Sequence, residues 1–239
     1  MPLQKLMGYM RRGITDYHMI EAGDRVAVGL SGGKDSLAML MGLAGLRRFL
    51  GVPYTLTAIS LDMGFPGHEN SDYTALASLC DRLEVPYVVR RTRIGEVVFA
   101  ERKESNPCSL CAKMRRGVLH EETQRAGCNK LALGHHMDDA LETFIMNLTI
   151  EGRIACFQPV SYLSRRDITM IRPMLYAPER DVVQVVKAEN LPVVKTACPI
   201  DGSTRRQNVK EFLQEMEKKD PGLKIRIFGA MRRGHISDW

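Results

Sequence analysis

The chain has 239 residues, with 34 Lys and Arg against 28 Asp and Glu and a formal net charge of +6. This length is sufficient for a full hydrophobic core, and the basic excess favours a polyanionic partner. No run approaches the ~18 apolar residues of a membrane-spanning helix, and residues 1–5 hold no apolar signal-peptide core. We therefore expect a cytoplasmic protein without a membrane partner.

The first half of the chain alternates between helical and extended hydrophobic spacing. A helix is expected over residues 3–20, with Gly23 as its C-cap. Apolar runs predict strands over residues 24–30, 54–61 and 85–89. Further helices are expected to begin at Leu37 and to cover residues 71–83.

In the second half, a strand is expected over residues 130–134, and residues 157–163 are expected to pair with residues 168–174 as a hairpin. Helices are predicted over residues 110–125, 138–148, 178–190, 204–216 and 223–232. Alternating strands and helices predict an α/β fold, with a parallel sheet covered by helices on both faces. We divide the chain into an N-terminal helix (1–22), a core (23–176) and a C-terminal helical extension (177–239).

A glycine-rich stretch joins the first predicted strand to the following helix: Ser31-Gly32-Gly33-Lys34-Asp35-Ser36. Such a junction presents unpaired backbone N–H groups and the positive end of a helix dipole, which together bind phosphate. Lys34 adds a positive charge, and Asp35 and Ser36 can orient magnesium. The spacing fits neither a Walker A loop nor a Rossmann dinucleotide loop. An ordinary glycine-rich turn is the alternative.

The hexapeptide resembles the phosphate loop of the PP-loop ATP pyrophosphatases, which release pyrophosphate from ATP. This resemblance implies a Rossmann-like sheet of the adenine-nucleotide α-hydrolase (HUP) type. Ligands of open α/β sheets bind at the carboxyl ends of the strands. We therefore expect ATP to contact Leu61 at the end of the second strand and Gly134 at the end of the fourth, with His135 and His136 shaping the loop near the adenine.

Two of the six cysteines, Cys108 and Cys111, lie three residues apart at the start of a predicted helix, where both sulfurs can reach one metal. Cys198 lies in a loop rich in Pro and Gly and is a candidate third ligand. Such a set is compatible with zinc, an iron–sulfur cluster or dithiol redox chemistry. The remaining cysteines are expected to be packed as small hydrophobic residues: Cys80, Cys128 and Cys156.

Several ordered segments together resemble the tRNA 2-thiocytidine synthetase (TtcA) family over nearly the whole chain: residues 19–24, 31–36, 108–117, 134–139, 171–174 and the Cys198 loop. The resemblance implies an ATP-dependent tRNA sulfurtransferase. It also implies that Cys108, Cys111 and Cys198 hold a [4Fe-4S] cluster in which one iron lacks a protein ligand. Asp201 stands where family members often have another cysteine, which leaves the RNA substrate open.

Thiolation of a pyrimidine requires that its carbonyl oxygen be turned into a leaving group, and attachment of AMP achieves this. We expect Asp35, with Asp138 or Asp139, to hold Mg²⁺, and the phosphate loop to grip ATP. Arg115 lies one helical turn after Cys111, so its charge can bridge cluster and phosphate. Asp35, Arg115 and Asp138 are thus the predicted catalytic residues, and an anticodon-loop cytidine is the target that the resemblance suggests.

The expected partners are tRNA and a sulfur donor, either sulfide or a persulfide from a cysteine desulfurase, and a homodimer is common among similar proteins. Arginine pairs favour RNA: residues 11–12, 90–91, 115–116, 165–166, 205–206 and 232–233. Several alternatives stay open. They are an amine nucleophile, a Cys108–Cys111 persulfide relay without a cluster, a related branch that thiolates uridine, and a nucleotide-gated iron–sulfur sensor that binds RNA without modifying it.

Overall fold

The computed structural model describes residues 1–65, 72–101, 107–194, 198 and 205–239. Within them, six strands form one sheet: β1 (Arg25–Gly29), β2 (Thr55–Asp62), β3 (Tyr87–Arg91), β4 (Lys130–Ala132), β5 (Val160–Leu163) and β6 (Ile168–Ile171). The strand order is β3-β2-β1-β4-β6-β5. All neighbours are parallel except β5 and β6, which form an antiparallel hairpin.

The described helices are α1 (Pro2–Asp16), α2 (Lys34–Leu46), α3 (Thr74–Arg82), α4 (Ile94–Glu96), α5 (Pro107–Arg125), α6 (Met137–Thr149), α7 (Glu179–Ala188), α8 (Arg205–Lys219) and α9 (Leu223–Arg233). A π-helical turn, Val97–Glu101, continues α4, and a 3₁₀ turn, Ile236–Asp238, follows α9.

The two faces of the sheet are covered unequally. Side chains alternate along a strand, so Val26 and Val28 enter a large core shared with most of the helices, whereas Ala27 faces a small one. The small core is covered by α5, whose Leu119 packs against it. Most of the hydrophobic stabilisation therefore lies on the face that carries α1, α2 and α7.

Hydrogen bonds join β1 and β4 at their amino-terminal ends. The side chain of Asn129 accepts from Arg25 N–H at 2.8 Å and donates to the Asp24 carboxylate at 2.7 Å. The other carboxylate oxygen of Asp24 accepts from Glu21 N–H at 2.8 Å. These amino-terminal strand ends lie on the opposite side of the sheet from the phosphate loop, which follows the carboxyl end of β1.

The α/β fold, the parallel core and the hairpin are confirmed, with shifted boundaries. Helix α1 ends at Asp16, because Tyr17 leaves the helical conformation and His18 adopts a positive φ of 48°. Helix α5 begins at Pro107, a residue suited to a first helical turn, so both nearby cysteines lie inside the helix. Residues 71 and 204, at predicted helix starts, lie outside the described residues, and the division into three segments stays a prediction.

Candidate active site

The phosphate loop is held in shape by its own serines. Gly32 has a φ of +79°, which favours glycine. The Ser36 hydroxyl donates to Gly33 C=O at 2.9 Å and accepts from Ser31 N–H at 3.2 Å, while Ser31 Oγ accepts from Gly33 N–H at 3.3 Å. These bonds fix the turn directly before the N-terminus of α2, so the anion-binding end of the helix is formed in advance.

The loops after β1 and β4 are in direct contact. A Cβ atom on Gly134 would lie 3.2 Å from the backbone of Asp35 and Ser36, closer than most Cβ contacts in proteins, so glycine favours this approach. Because β1 and β4 are neighbours whose connections leave in opposite directions, this is the switch point at which open α/β sheets bind ligands. The predicted positions Gly134 and Asp35 are thus brought together.

A segment from the C-terminal part of the chain lies over the phosphate loop. Val194 N–H donates to Gly32 C=O at 3.0 Å, and a Cβ on Gly32 would lie 3.0 Å from the Val194 side chain. Cys198 follows four residues later. Four residues span at most about 14 Å, so the third cysteine is tethered near the nucleotide loop.

Lys34 is held by two carboxylates. Its Nζ lies 2.8 Å from Asp35 and 3.0 Å from Glu179, and Glu179 also pairs with Lys210 at 2.7 Å. Burial acts to lower the Lys34 pKa, but the bonds to Asp35 and Glu179 outweigh it and the pKa is raised. For Glu179, the bonds from Lys210 and Lys34 outweigh burial and lower the pKa to about 2. Both partners are therefore charged at neutral pH.

The neighbouring aspartates of α6 point to different partners. Asp138 is buried, and its two oxygens accept from Glu179 N–H at 2.7 Å and pair with Lys224 at 2.8 Å. It thereby fastens the start of α7 and the start of α9 to the site. Of the expected magnesium ligands, Asp138 is thus already engaged with groups of the protein.

Asp139 lies on the side of the phosphate loop. It forms a capping box with His136: His136 N–H donates to the Asp139 carboxylate at 3.0 Å, and Asp139 N–H donates to the imidazole at 3.3 Å. The other ring nitrogen of His136 is 3.5 Å from Asp35. Arg206 of α8 approaches Asp139 at 3.5 Å. A continuous polar chain therefore links Asp35 to Asp139.

The three predicted metal-binding cysteines lie near one another. Cys108 is exposed, and Cys111 and Cys198 are half-buried. Burial raises the pKa of the Cys111 thiol, Arg115 counteracts this, and Cys198 and Cys108 raise it further. Because the influence of one charge on another falls off with distance, Arg115 and both other thiols lie in the neighbourhood of Cys111.

Within the described parts of the chain, no three His, Cys, Asp or Glu side chains are arranged to hold a metal ion. The thiols are therefore neighbours without being gathered to ligating distance. As a donor set, three thiolates beside a cationic Arg115 suit soft metals and iron–sulfur clusters. The other cysteines pack as expected, with Cys80 and Cys128 buried and Cys156 half-buried against the large core.

His135 of the β4–α6 loop belongs to a second cluster, which contains aromatic and basic side chains. His135 and Arg172 both stack on Phe157, at 5.0 Å, and Trp239 N–H donates to Phe157 C=O at 2.7 Å. Burial, followed by the charge of Arg172, lowers the pKa of His135 to about 4. His135 Nδ1 and Arg172 Nε find no hydrogen-bond partner among the described residues.

The remaining predicted position, Leu61, lies near the carboxyl end of β2 and packs against the small core.

Sequence reasoning missed the residues that α7, α8 and α9 bring to the site: Glu179, Arg206, Lys210 and Lys224. Only Glu179 carried a local signal, because an acidic residue directly after Pro178 suits a helix N-terminus. Among the helices that the structure describes, none combines the length and the hydropathy that a transmembrane span needs.

The fold and this loop define a PP-loop nucleotide-binding protein, and a PP-loop domain model matches residues 9–216. The chain is 36% identical to the tRNA-cytidine(32) 2-sulfurtransferase of Geobacter sulfurreducens, over 98% of this chain and 93% of that one. It is 38% identical to the enzyme of the same name from Geotalea uraniireducens, over 92% and 87%. The chain belongs to the family of the tRNA-cytidine(32) 2-sulfurtransferases.

A solved structure of similar fold is the U34-tRNA thiolase NcsA from Methanococcus maripaludis with its [4Fe-4S] cluster. The two superpose with a TM-score of 0.76 at 26% identity, over 97% of this chain and 79% of NcsA.

Proposed function

We propose that this protein is an ATP-dependent tRNA sulfurtransferase that converts an anticodon-loop cytidine to 2-thiocytidine. One structural observation carries the proposal. The segment whose Val194 N–H donates a hydrogen bond to Gly32 C=O of the phosphate loop continues to Cys198. Cys198 in turn lies close enough to Cys111 to raise the pKa of the Cys111 thiol. The phosphate loop and the three cysteines therefore lie close together, as an activation step followed by sulfur transfer requires. Family membership and the likeness to NcsA support the same function.

In the activation half, the phosphate loop and the N-terminus of α2 bind the β,γ-phosphates of ATP, and the Lys34 ammonium group pairs with them. The pyrimidine oxygen then attacks the α-phosphorus and pyrophosphate leaves. Asp35 and Asp139 would hold Mg²⁺, because the chain through His136 places both beside the loop. Asp138 acts as a positioning residue, since its oxygens already bind α7 and Lys224. Most of the catalytic effect comes from positioning and charge stabilisation.

In the sulfur-transfer half, Cys108, Cys111 and Cys198 would hold a [4Fe-4S] cluster, which supplies a sulfur-binding iron without a protein ligand. Arg115 stabilises the thiolate form of Cys111 and adds positive charge beside the leaving AMP. Sulfide is the proposed direct nucleophile: its sulfur bonds to the activated carbon, and AMP leaves with the former carbonyl oxygen. A desulfurase-derived persulfide is a source of this sulfide once a thiol reductant has reduced it by two electrons and has itself been oxidised to a disulfide. The target base must leave its stack to reach this site, which favours a loop over a duplex. We place the enzyme in the cytoplasm with its tRNA, as a homodimer.

The decisive experiment is mass analysis of nucleosides from unmodified tRNA incubated anaerobically with reconstituted protein, ATP, Mg²⁺ and sulfide. We expect 2-thiocytidine that depends on ATP and is lost in Asp35→Ala, while the iron–sulfur absorbance of that variant is retained. A thiolated uridine in its place would assign the chain to the uridine branch. RNA binding without any thiolated nucleoside would favour a sensor, and colourless protein containing one zinc would remove the cluster.

A further inference from the structure

One face of α5 carries basic side chains at helical spacing. Lys113, Arg116 and His120 follow one another at intervals of three and four residues, which places them on one side of the helix. Lys113 and Arg116 are exposed, and His120 is half-buried. Arg115 lies about 100° around the helix from Arg116 and acts on Cys111, so the two arginines of this pair serve different surfaces.

The tip of the β5–β6 hairpin extends this row. The side chain of Gln124 donates to Arg166 C=O at 2.7 Å, and the Arg166 guanidinium donates back to Gln124 Oε1 at 3.3 Å. These bonds fix the exposed Arg165 and Arg166 beside the C-terminal half of α5. We call Lys113, Arg116, His120, Arg165 and Arg166 the basic strip.

The positive charge of the basic strip is not neutralised by its described surroundings. Arg116 and Arg166 donate to neutral groups, Ala112 C=O and Gln124, whereas Arg125 on the same helix pairs with two glutamates. Burial lowers the pKa of His120, and the charges of Arg116 and Arg166 lower it further. His120 is therefore neutral at pH 7, and the charges of Arg116 and Arg166 lie near it without an ion-pair partner among the described residues, an arrangement that an external polyanion relieves.

The position of the strip identifies that polyanion. From Lys113 to Gln124 the helix rises about 17 Å, so the strip is a linear track that begins at the cysteine end of α5, on the side of the helix turned away from Cys111. A linear, phosphate-bearing molecule that must reach the cysteine site fits such a track. We propose that the basic strip binds the phosphate backbone of the tRNA stem next to the loop whose base is modified. This inference rests on the proposed function and adds the surface that orients its substrate.

The test compares two double variants that each remove two exposed cations. R116Q/R165Q changes the basic strip, and R11Q/R48Q changes α1 and the end of α2, on the opposite face of the sheet. Affinity for unmodified tRNA, and for an isolated anticodon stem-loop, is measured by filter binding over a series of salt concentrations. Binding of ATP and the melting temperature are followed in parallel.

For R116Q/R165Q we expect the slope of log Kd against log salt to fall by about 1.8, or ~0.9 for each lost contact with a duplex stem, and Kd at 0.1 M salt to rise ~60-fold for both RNAs. The R11Q/R48Q variant should retain the wild-type slope, and both variants should retain ATP binding. Equal effects of the two variants, no effect of R116Q/R165Q, or wild-type protein that binds no tRNA would each overturn the inference.

The outcomes also separate this inference from the proposed function. Thiolation with an unchanged salt slope in R116Q/R165Q would reject the basic strip alone. Strip-dependent binding without any thiolated nucleoside would reject the proposed function alone.

Discussion

Lys34 and Lys210 share Glu179, so this one carboxylate neutralises two cations beside the phosphate loop. In Glu179→Gln both cations lose it, and we expect a loss of about 2 kcal/mol of unfolding free energy in the absence of nucleotide. Bound ATP supplies negative charge at the same place. The rise in melting temperature that ATP causes should therefore be larger in Glu179→Gln than in the wild type. Thermal unfolding with and without ATP measures both effects.

A matched control is Glu215→Gln, which removes one carboxylate from an exposed pair with Lys219 on α8. This pair contributes about 0–0.5 kcal/mol, so both melting temperatures should stay near the wild-type values. If ATP stabilises Glu179→Gln no more than it stabilises the wild type, Glu179 does not neutralise the cations that meet phosphate.

Gly134→Ala tests the contact between the two loops. The added Cβ would lie 3.2 Å from the backbone of Asp35 and Ser36, which cannot move away without displacing the start of α2. We expect a loss of about 1–3 kcal/mol of stability together with weaker ATP binding, measured by denaturant unfolding and calorimetry. Gly117→Ala is the control. It lies inside α5 with open space around its Cβ position and should gain up to ~1 kcal/mol.

At the scale of whole elements, local patterns predicted most helices and strands because their signals are local. The hexapeptide, the apolar run of β1 and the proline at position 178 each act within a few residues. The short α4 with its π-helical turn and the final 3₁₀ turn were missed, because segments of three to five residues show no clear periodicity.

The partners of Asp138 illustrate why much of the site was out of reach of the sequence. Its hydrogen bond to Glu179 and its ion pair with Lys224 join residues separated by 41 and 86 positions. The capping box with His136 holds Asp139 locally, but nothing local to α6 specifies which elements Asp138 contacts. That choice is made by the docking of α7 and α9 on the core, a long-range property of the packed chain.

The loop between β4 and α6 should make stability depend on pH through His135. Its pKa falls from 6.5 to about 4 on folding, so the unfolded chain binds the proton more tightly. The stabilisation is complete above pH 6.5 and is lost as the pH falls towards 4, amounting to about 2 kcal/mol by pH 5. Denaturant unfolding from pH 7.5 to pH 5 measures this loss.

His135→Asn provides the comparison, because an amide does not titrate in this range. Its stability should change less between pH 7.5 and pH 5 than that of the wild type by about the same 2 kcal/mol. Parallel curves for the two proteins would mean that another group is responsible for the acid sensitivity.

At the scale of the whole molecule, the three predicted metal-binding cysteines lie apart from the hydrophobic cores. Cys108, Cys111 and Cys198 belong to neither core, whereas Cys80 is fully buried in the large one. We expect Cys108→Ser/Cys111→Ser to lose its iron while keeping its melting temperature and ATP affinity. Iron analysis, circular dichroism and ATP titration measure the three properties.

Cys80→Ser is the opposite control, since it places a hydroxyl in an apolar core. It should cost about 1–3 kcal/mol of stability and leave the iron content unchanged. If the Cys108→Ser/Cys111→Ser variant melted early or failed to bind ATP, the metal-binding segment would be part of the folding unit.

The bonds of Asn129 to Asp24 and Arg25 lie at the amino-terminal edge of β1 and β4, while the phosphate loop and Gly134 lie at the carboxyl edge of the same two strands. Heat tolerance and turnover can consequently be adjusted in different places on this scaffold. Lineages adapting to hotter habitats, or laboratory selections for durability, have a region in which substitutions accumulate without touching the chemistry.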